Sequence, residues 1–143
     1  MTDTQPIIPI LNELLAAEQR SVALRFSESI LFVSPLHARN DLLIQEIAKQ
    51  NREHAGWLTQ TVLELGSAPG IPVGDINSGD LHFCDLNMVA ERLVSDLRHL
   101  ARLYEMAAQR VSAEAVAAEV VARILARHIN NLDTVTSLGQ PTA

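Results

Sequence analysis

The chain has little of what many redox, nucleic-acid and membrane sites are made from. Cys84 is its only cysteine, which excludes an internal disulfide and any cysteine-built zinc or iron–sulfur site and suits a reducing compartment. Aromatic residues are 3% of the total, so a stacking platform is not expected, and Trp57 and Tyr104 are read as packing residues. The basic side chains are nearly all Arg, form no run and are outweighed to a net charge of -6. That excludes an electrostatic grip on duplex DNA, and no nucleic-acid partner is expected. No segment approaches the roughly 20 apolar residues of a membrane span. The opening residues, Met1 to Gln5, are polar and lack the basic region and apolar run of a secretory signal. The expectation is a cytoplasmic protein with no membrane partner.

Glycine and proline are confined. The 6 Gly and 6 Pro fall mostly in the first ten residues, in 66–79 and in the tail, with Pro35 and Gly56 as exceptions. The segments between them read as helix, and 143 residues with 48% hydrophobic content suit one domain, 1–143, with a sizeable core.

Four helix-length segments follow, at about 8–33, 40–65, 86–110 and 113–137. In the first, Leu11, Leu14, Leu15, Glu18, Val22, Arg25 and Ser29 share a face at spacings of three and four, with Pro6 and Pro9 tolerated at its start. In the second the stripe is Leu43, Ile47, Asn51, His54, Leu58, Thr61 and Leu65, and Gly66 is a helix stop. Ser112 followed by Glu114 gives a cap and a first-turn acid for the fourth, whose stripe is Ala117, Val121, Leu125, His128, Leu132 and Val135. The long link 67–85 is uncommon in a compact domain. A link that long is explained if helices two and three run parallel, because the chain must then cross the whole bundle.

Antiparallel and parallel placement on this plan brings Glu18, His54, Asp96, His99 and His128 to mid-height, all of them residue types that ligate zinc or iron. Each has a plainer reading beside it: a buried carboxylate paired with Arg25 for Glu18, core histidines for His54 and His128, and a solvated edge for Asp96 and His99.

The order and spacing of several short runs carry a resemblance. They are Leu11-Asn12-Glu13-Leu14-Leu15-Ala16-Ala17-Glu18 with Arg25-Phe26 beyond, then Glu53-His54-Ala55, the Leu65-Gly66-Ser67-Ala68-Pro69-Gly70 exit of helix two, the crossover, and Arg127-His128-Ile129-Asn130-Asn131-Leu132. On these the chain resembles the ferritin-like superfamily, bacterioferritin-like and DNA-protection relatives especially, over nearly its full length. The resemblance implies an all-α, ferritin-like up-down-down-up four-helix bundle with a long crossover between helices 2 and 3, and a homodimer or larger homo-oligomer. It also implies that Glu18, His54 and His128 are terminal ligands of a di-iron centre. The two bridging carboxylates of such centres are missing: Asn51 and Leu125 stand in their places, Ser95 or Asp96 falls nearest the helix-three ligand, and Arg25 stands where many bacterioferritins have a Tyr. Met88 and Met106 do not match a haem-binding motif, and no haem is expected.

Two divalent ions about 3.5 to 4 Å apart repel strongly, and shared carboxylates make such a pair bearable. The expectation is therefore a degenerate di-iron centre that holds at most one iron or zinc, with poor or no ferroxidase activity. Asp96 and His99, an i, i+3 pair, are candidates to complete a rebuilt single-metal site. Two alternatives stay open: a working ferroxidase of the bacterioferritin-like type, and a metal-free helical bundle that serves as an interaction module.

Overall fold

The structure, a computed structural model, describes residues 6–28, 38–69 and 86–138. It contains α1 (Ile7–Gln19), α2 (Val22–Glu28), α3 (Ala38–Glu64), α4 (Leu86–Arg110) and α5 (Ala115–Leu138). There is no strand among the described residues.

The first helical segment differs from its expectation of one continuous helix. It breaks after Gln19, where Arg20 leaves helical geometry at φ -101° and ψ 12°. Ser21 then serves as the cap of α2, its hydroxyl accepting the Leu24 N–H at 3.1 Å, while the Asp96 carboxylate reaches across from α4 to accept the Val22 N–H at 3.1 Å. A hydroxyl and a carboxylate at the orphan N–H groups of a helix start are what such an interruption needs. Positions 29–33 of the expected helix lie outside the described residues.

The other boundaries follow local chemistry. Gly66 has φ +85°, and its N–H bonds to the Leu63 carbonyl at 3.0 Å while the Ser67 N–H bonds to that of Val62 at 3.1 Å. This pair of bonds closes α3, and glycine is suited to the left-handed position between them. At the α4–α5 corner Ser112 was the expected cap, but its hydroxyl donates back to the Gln109 carbonyl. Glu114 caps α5 instead, through the Val116 N–H at 3.4 Å.

Two apolar clusters fix the topology. One joins Leu11 and Leu15 of α1, Leu58 and Val62 from the end of α3, Leu100 and Ala107 from the later part of α4, and Val121 and Ile124 from the start of α5. The other joins Val22 and Leu24 of α2, Ile44 and Ile47 from early α3, Leu93 and Leu97 from early α4, and Val135 from late α5. Hence α1–α2 and α5 run one way and α3 and α4 the other, which is the up-down-down-up order, with α1–α2 sharing one bundle position. The parallel α3 and α4 require a crossover, and its residues 70–85 lie outside those described.

Candidate metal centre

Between the two apolar clusters lies a layer of buried polar side chains. Glu18, His54 and His128 have no solvent exposure, and Ser21 and Asn51 are 1% exposed. The helical stripes that bury leucines elsewhere put these residues inward. Glu18 follows Leu11, Leu14 and Leu15 on α1, Asn51 and His54 sit between Ile47 and Leu58 on α3, and His128 lies one turn beyond Ile124 on α5.

The Glu18 carboxylate organises the layer. Its Oε1 accepts the Tyr104 hydroxyl at 2.8 Å and lies 2.5 Å from His128 Nε2. His54 Nδ1 approaches the same oxygen at 3.3 Å. The other oxygen, Oε2, accepts the Asn51 amide at 2.7 Å. The Ser21 hydroxyl donates to Asn51 Oδ1 at 2.9 Å, so the amide is held with its N–H toward Glu18. Burial drives the Glu18 carboxyl upward, but the hydrogen bond from His128 and the closeness of both imidazoles outweigh it and hold it at about 2. The carboxylate is ionised and accepts only, so His128 Nε2 is the donor of that contact.

The histidines are incompletely satisfied. Both ring nitrogens of His54 and Nδ1 of His128 are buried without a hydrogen-bond partner. His54 Nδ1 is close to Glu18 but out of line for a bond, and burial pushes the pKa of the ring down against the pull of Glu18. An unmatched buried polar group costs on the order of 1–3 kcal/mol, and natural cores rarely keep three together without a use for them. One ligand atom each from Glu18, His54 and His128 lie within 4.8 Å of one another. Two imidazoles and one carboxylate form a donor set suited to zinc or ferrous iron, so the residues present fit a metal ion.

The sequence-derived candidates separate at this point. Glu18, His54 and His128 are together; Asp96 and His99 are not in their group. Asp96 spends its carboxylate on the start of α2, and burial raises its pKa against the opposing pull of the Val22 N–H and of the Arg25 charge. His99 is exposed, in a groove of about 320 Å³ that also involves Glu13 and Arg20. Leu125, at an expected bridging position, is half-buried against the apolar cluster. Tyr104 was read as a packing residue, yet its hydroxyl lies on the key carboxylate. The signal was the α4 stripe Leu93, Leu97, Leu100, Tyr104, Ala107, whose four-and-three spacing puts Tyr104 inward.

Next to His54, Trp57 closes the α3–α5 side, its ring centroid 5.4 Å from that of the imidazole. Arg123 and Arg127 lie 4.8 and 5.1 Å over the same indole, and Arg127 also pairs with Glu53 at 3.0 Å. One turn further along, Asn131 donates to Gln50 at 2.8 Å and ties α5 to α3 in this register.

An up-down-down-up bundle with carboxylate and imidazole donors at mid-height is a ferritin-like fold, and solved structures agree. The chain is similar to a ferritin-like, diiron-carboxylate protein from Bacillus anthracis strain Ames, with TM-score 0.76 and 16% identity over 98% of this chain and 100% of that one. It is similar also to a dodecameric thioferritin, the bacterioferritin-related protein of Bacteroides fragilis, with TM-score 0.76 and 17% identity over 94% of this chain and 84% of that one. No family model and no curated protein matches. At these identities the likeness is one of fold, so the site must carry the functional argument.

Proposed function

We propose that the protein is a divergent ferritin-like, single-metal protein, in which Glu18, His54 and His128 hold one iron or zinc ion at the centre of the bundle. The observation that carries this reading is the buried triad, with its ligand atoms within 4.8 Å and three imidazole nitrogens lacking any other partner. When bound, such an ion supplies Lewis acidity or, for iron, one-electron redox chemistry.

The chain's own residues argue for one ion rather than two. Glu18 Oε2, the oxygen a second ion would share, takes the Asn51 amide at 2.7 Å, and Ser21 fixes that amide's orientation. Leu125 offers no donor, and Asp96 is engaged at the α2 start. Without shared carboxylates a second cation gains little against the repulsion of the first. Poor or absent ferroxidase turnover follows. Asp96 and His99 stay outside the ligand set on this reading. The dodecameric neighbour supports a homo-oligomer, a dimer or larger, and we take 1–143 as one cytoplasmic domain.

Calorimetric titration of metal-free protein with zinc tests this directly. One site per chain is expected, absent in Glu18→Ala and His128→Ala. Ferrous oxidation followed by oxygen uptake should run no faster with the protein than with His54→Ala. Rapid turnover that disappears in the variant would favour the working-ferroxidase reading. Tight zinc binding that survives loss of the triad would place the metal elsewhere.

A further inference from the structure

The single-metal reading leaves one buried group at the triad without a role. Tyr104 is fully buried, and its hydroxyl is 2.8 Å from Glu18 Oε1, the oxygen also approached by His128 Nε2 at 2.5 Å and by His54 Nδ1 at 3.3 Å. Three potential donor atoms, one from each of α3, α4 and α5, thus crowd a single carboxylate oxygen supplied by α1. In a four-coordinate site with metal–ligand bonds of about 2.0–2.1 Å, neighbouring donors stand roughly 3.3 Å apart. At 2.8 Å the phenol oxygen stands about 0.5 Å inside that spacing from Glu18, so ligation asks only a small outward shift. Its ring packs against His128, with centroids 5.2 Å apart.

We infer that Tyr104 is the fourth donor of the site when it holds ferric iron. The inference rests on the single-metal reading and extends it. Charge gives the reason. A divalent ion bound by Glu18 and two neutral imidazoles leaves one net positive charge in a dry layer, whereas a ferric ion leaves two. Buried charge is tolerated only when it is paired. The phenol of Tyr104 is the one further acidic group in hydrogen-bond contact with Glu18 among the described residues, and as phenolate it removes one of those charges. On ligation the proton now donated to Glu18 leaves with solvent, and the oxygen lone pair turns to the ion. In the metal-free protein the phenol is a neutral hydrogen-bond donor to Glu18. A bound cation favours the phenolate instead.

The experiment adds ferric nitrilotriacetate to metal-free protein, removes excess chelate by desalting, and records iron content, the visible spectrum and resonance Raman scattering. Tyr104→Phe and His54→Ala serve as variants, with circular dichroism as the check on folding and a zinc titration of wild type run in parallel. Wild type is expected to hold one ferric ion and to show a phenolate-to-iron charge-transfer band with tyrosinate vibrations. Tyr104→Phe should fold as wild type does, yet lose the band and bind ferric iron at least tenfold more weakly. Iron bound through His54 without the band, or a band that persists in Tyr104→Phe, overturns the role of Tyr104 and leaves the single-metal reading intact. Zinc binding with no ferric uptake overturns the ferric site and the role of Tyr104 and leaves the single-metal reading intact. No metal of either kind in wild type overturns both readings.

Discussion

Around Leu11, Leu58, Val121 and Ile124 the interior is hydrocarbon, whereas seven residues further along α1, at the same depth of burial, the chain places Glu18 among Asn51, His54, Tyr104 and His128. Neither region meets water, yet they are held differently. The apolar end gains from each methyl group removed from solvent, about 1.5–3 kcal/mol for a buried leucine-sized side chain. The polar layer loses solvation for every atom it buries and recovers it only where a hydrogen bond or a charge answers. Glu18 recovers it through Tyr104, Asn51 and His128; His54 does not. A region that keeps an unanswered imidazole between two well-packed apolar clusters is organised around something other than the stability of the metal-free chain.

Removing the centre of the polar layer should have the largest effect. Glu18→Ala leaves Tyr104, the Asn51 amide and His128 without their common acceptor, and we expect a loss of about 3–5 kcal/mol in urea unfolding, the scale for breaking a buried charged pair. It should also abolish any rise in melting temperature on adding zinc. Leu58→Ala, in the apolar end, should lose about 3 kcal/mol through its cavity while retaining the zinc-induced rise. If the two variants behaved alike toward zinc, the division between the regions would collapse.

Acid should act on one region only. In the metal-free protein the folded-state pKa of Glu18, about 2, lies below its ordinary value of 4.5. The unfolded chain therefore binds the extra proton first, so the stabilisation is complete above pH 4.5 and is lost as the pH falls toward 2, on the order of 3 kcal/mol. His54 also has its pKa lowered from 6.5, so it adds a loss of the same sign that begins below about pH 6.5. Equilibrium unfolding across pH 7 to 3 checks both. The smallest effect has the opposite sign: His54→Leu removes two unpartnered ring nitrogens and should raise the stability of the metal-free protein by about 1 kcal/mol, erase the upper step of the acid profile, and bind no metal.

Much of the apolar architecture was legible in the sequence because helical periodicity records burial. Ile47, Asn51, His54, Leu58 and Thr61 of the second stripe and Ala117, Val121, His128 and Val135 of the fourth are buried, with Leu43, Leu65, Leu125 and Leu132 half-buried at the edges, and α4 occupies its expected span. The break at Arg20–Ser21 was not legible. It depends on Asp96, 74 positions away, reaching the Val22 N–H, a contact that no local pattern encodes. The same bond gives Asp96 a role that its sequence position could not show, because an inward-leaning acid on that helix reads the same whether it meets a metal or a helix start. Glu18, His54 and His128 were legible as mid-stripe polar residues. Tyr104 was not, because a tyrosine on an apolar stripe satisfies the packing pattern, and only the three-dimensional arrangement reveals what its hydroxyl touches.

The central claim is one metal ion per chain at Glu18, His54 and His128. Metal content measured by mass spectrometry, after incubation with ferrous iron or zinc and desalting, tests it most directly, with His54→Ala treated in parallel. The account predicts one ion per chain in the native protein and none in the variant. Two ions per chain, one ion in both proteins, or none in either would contradict it.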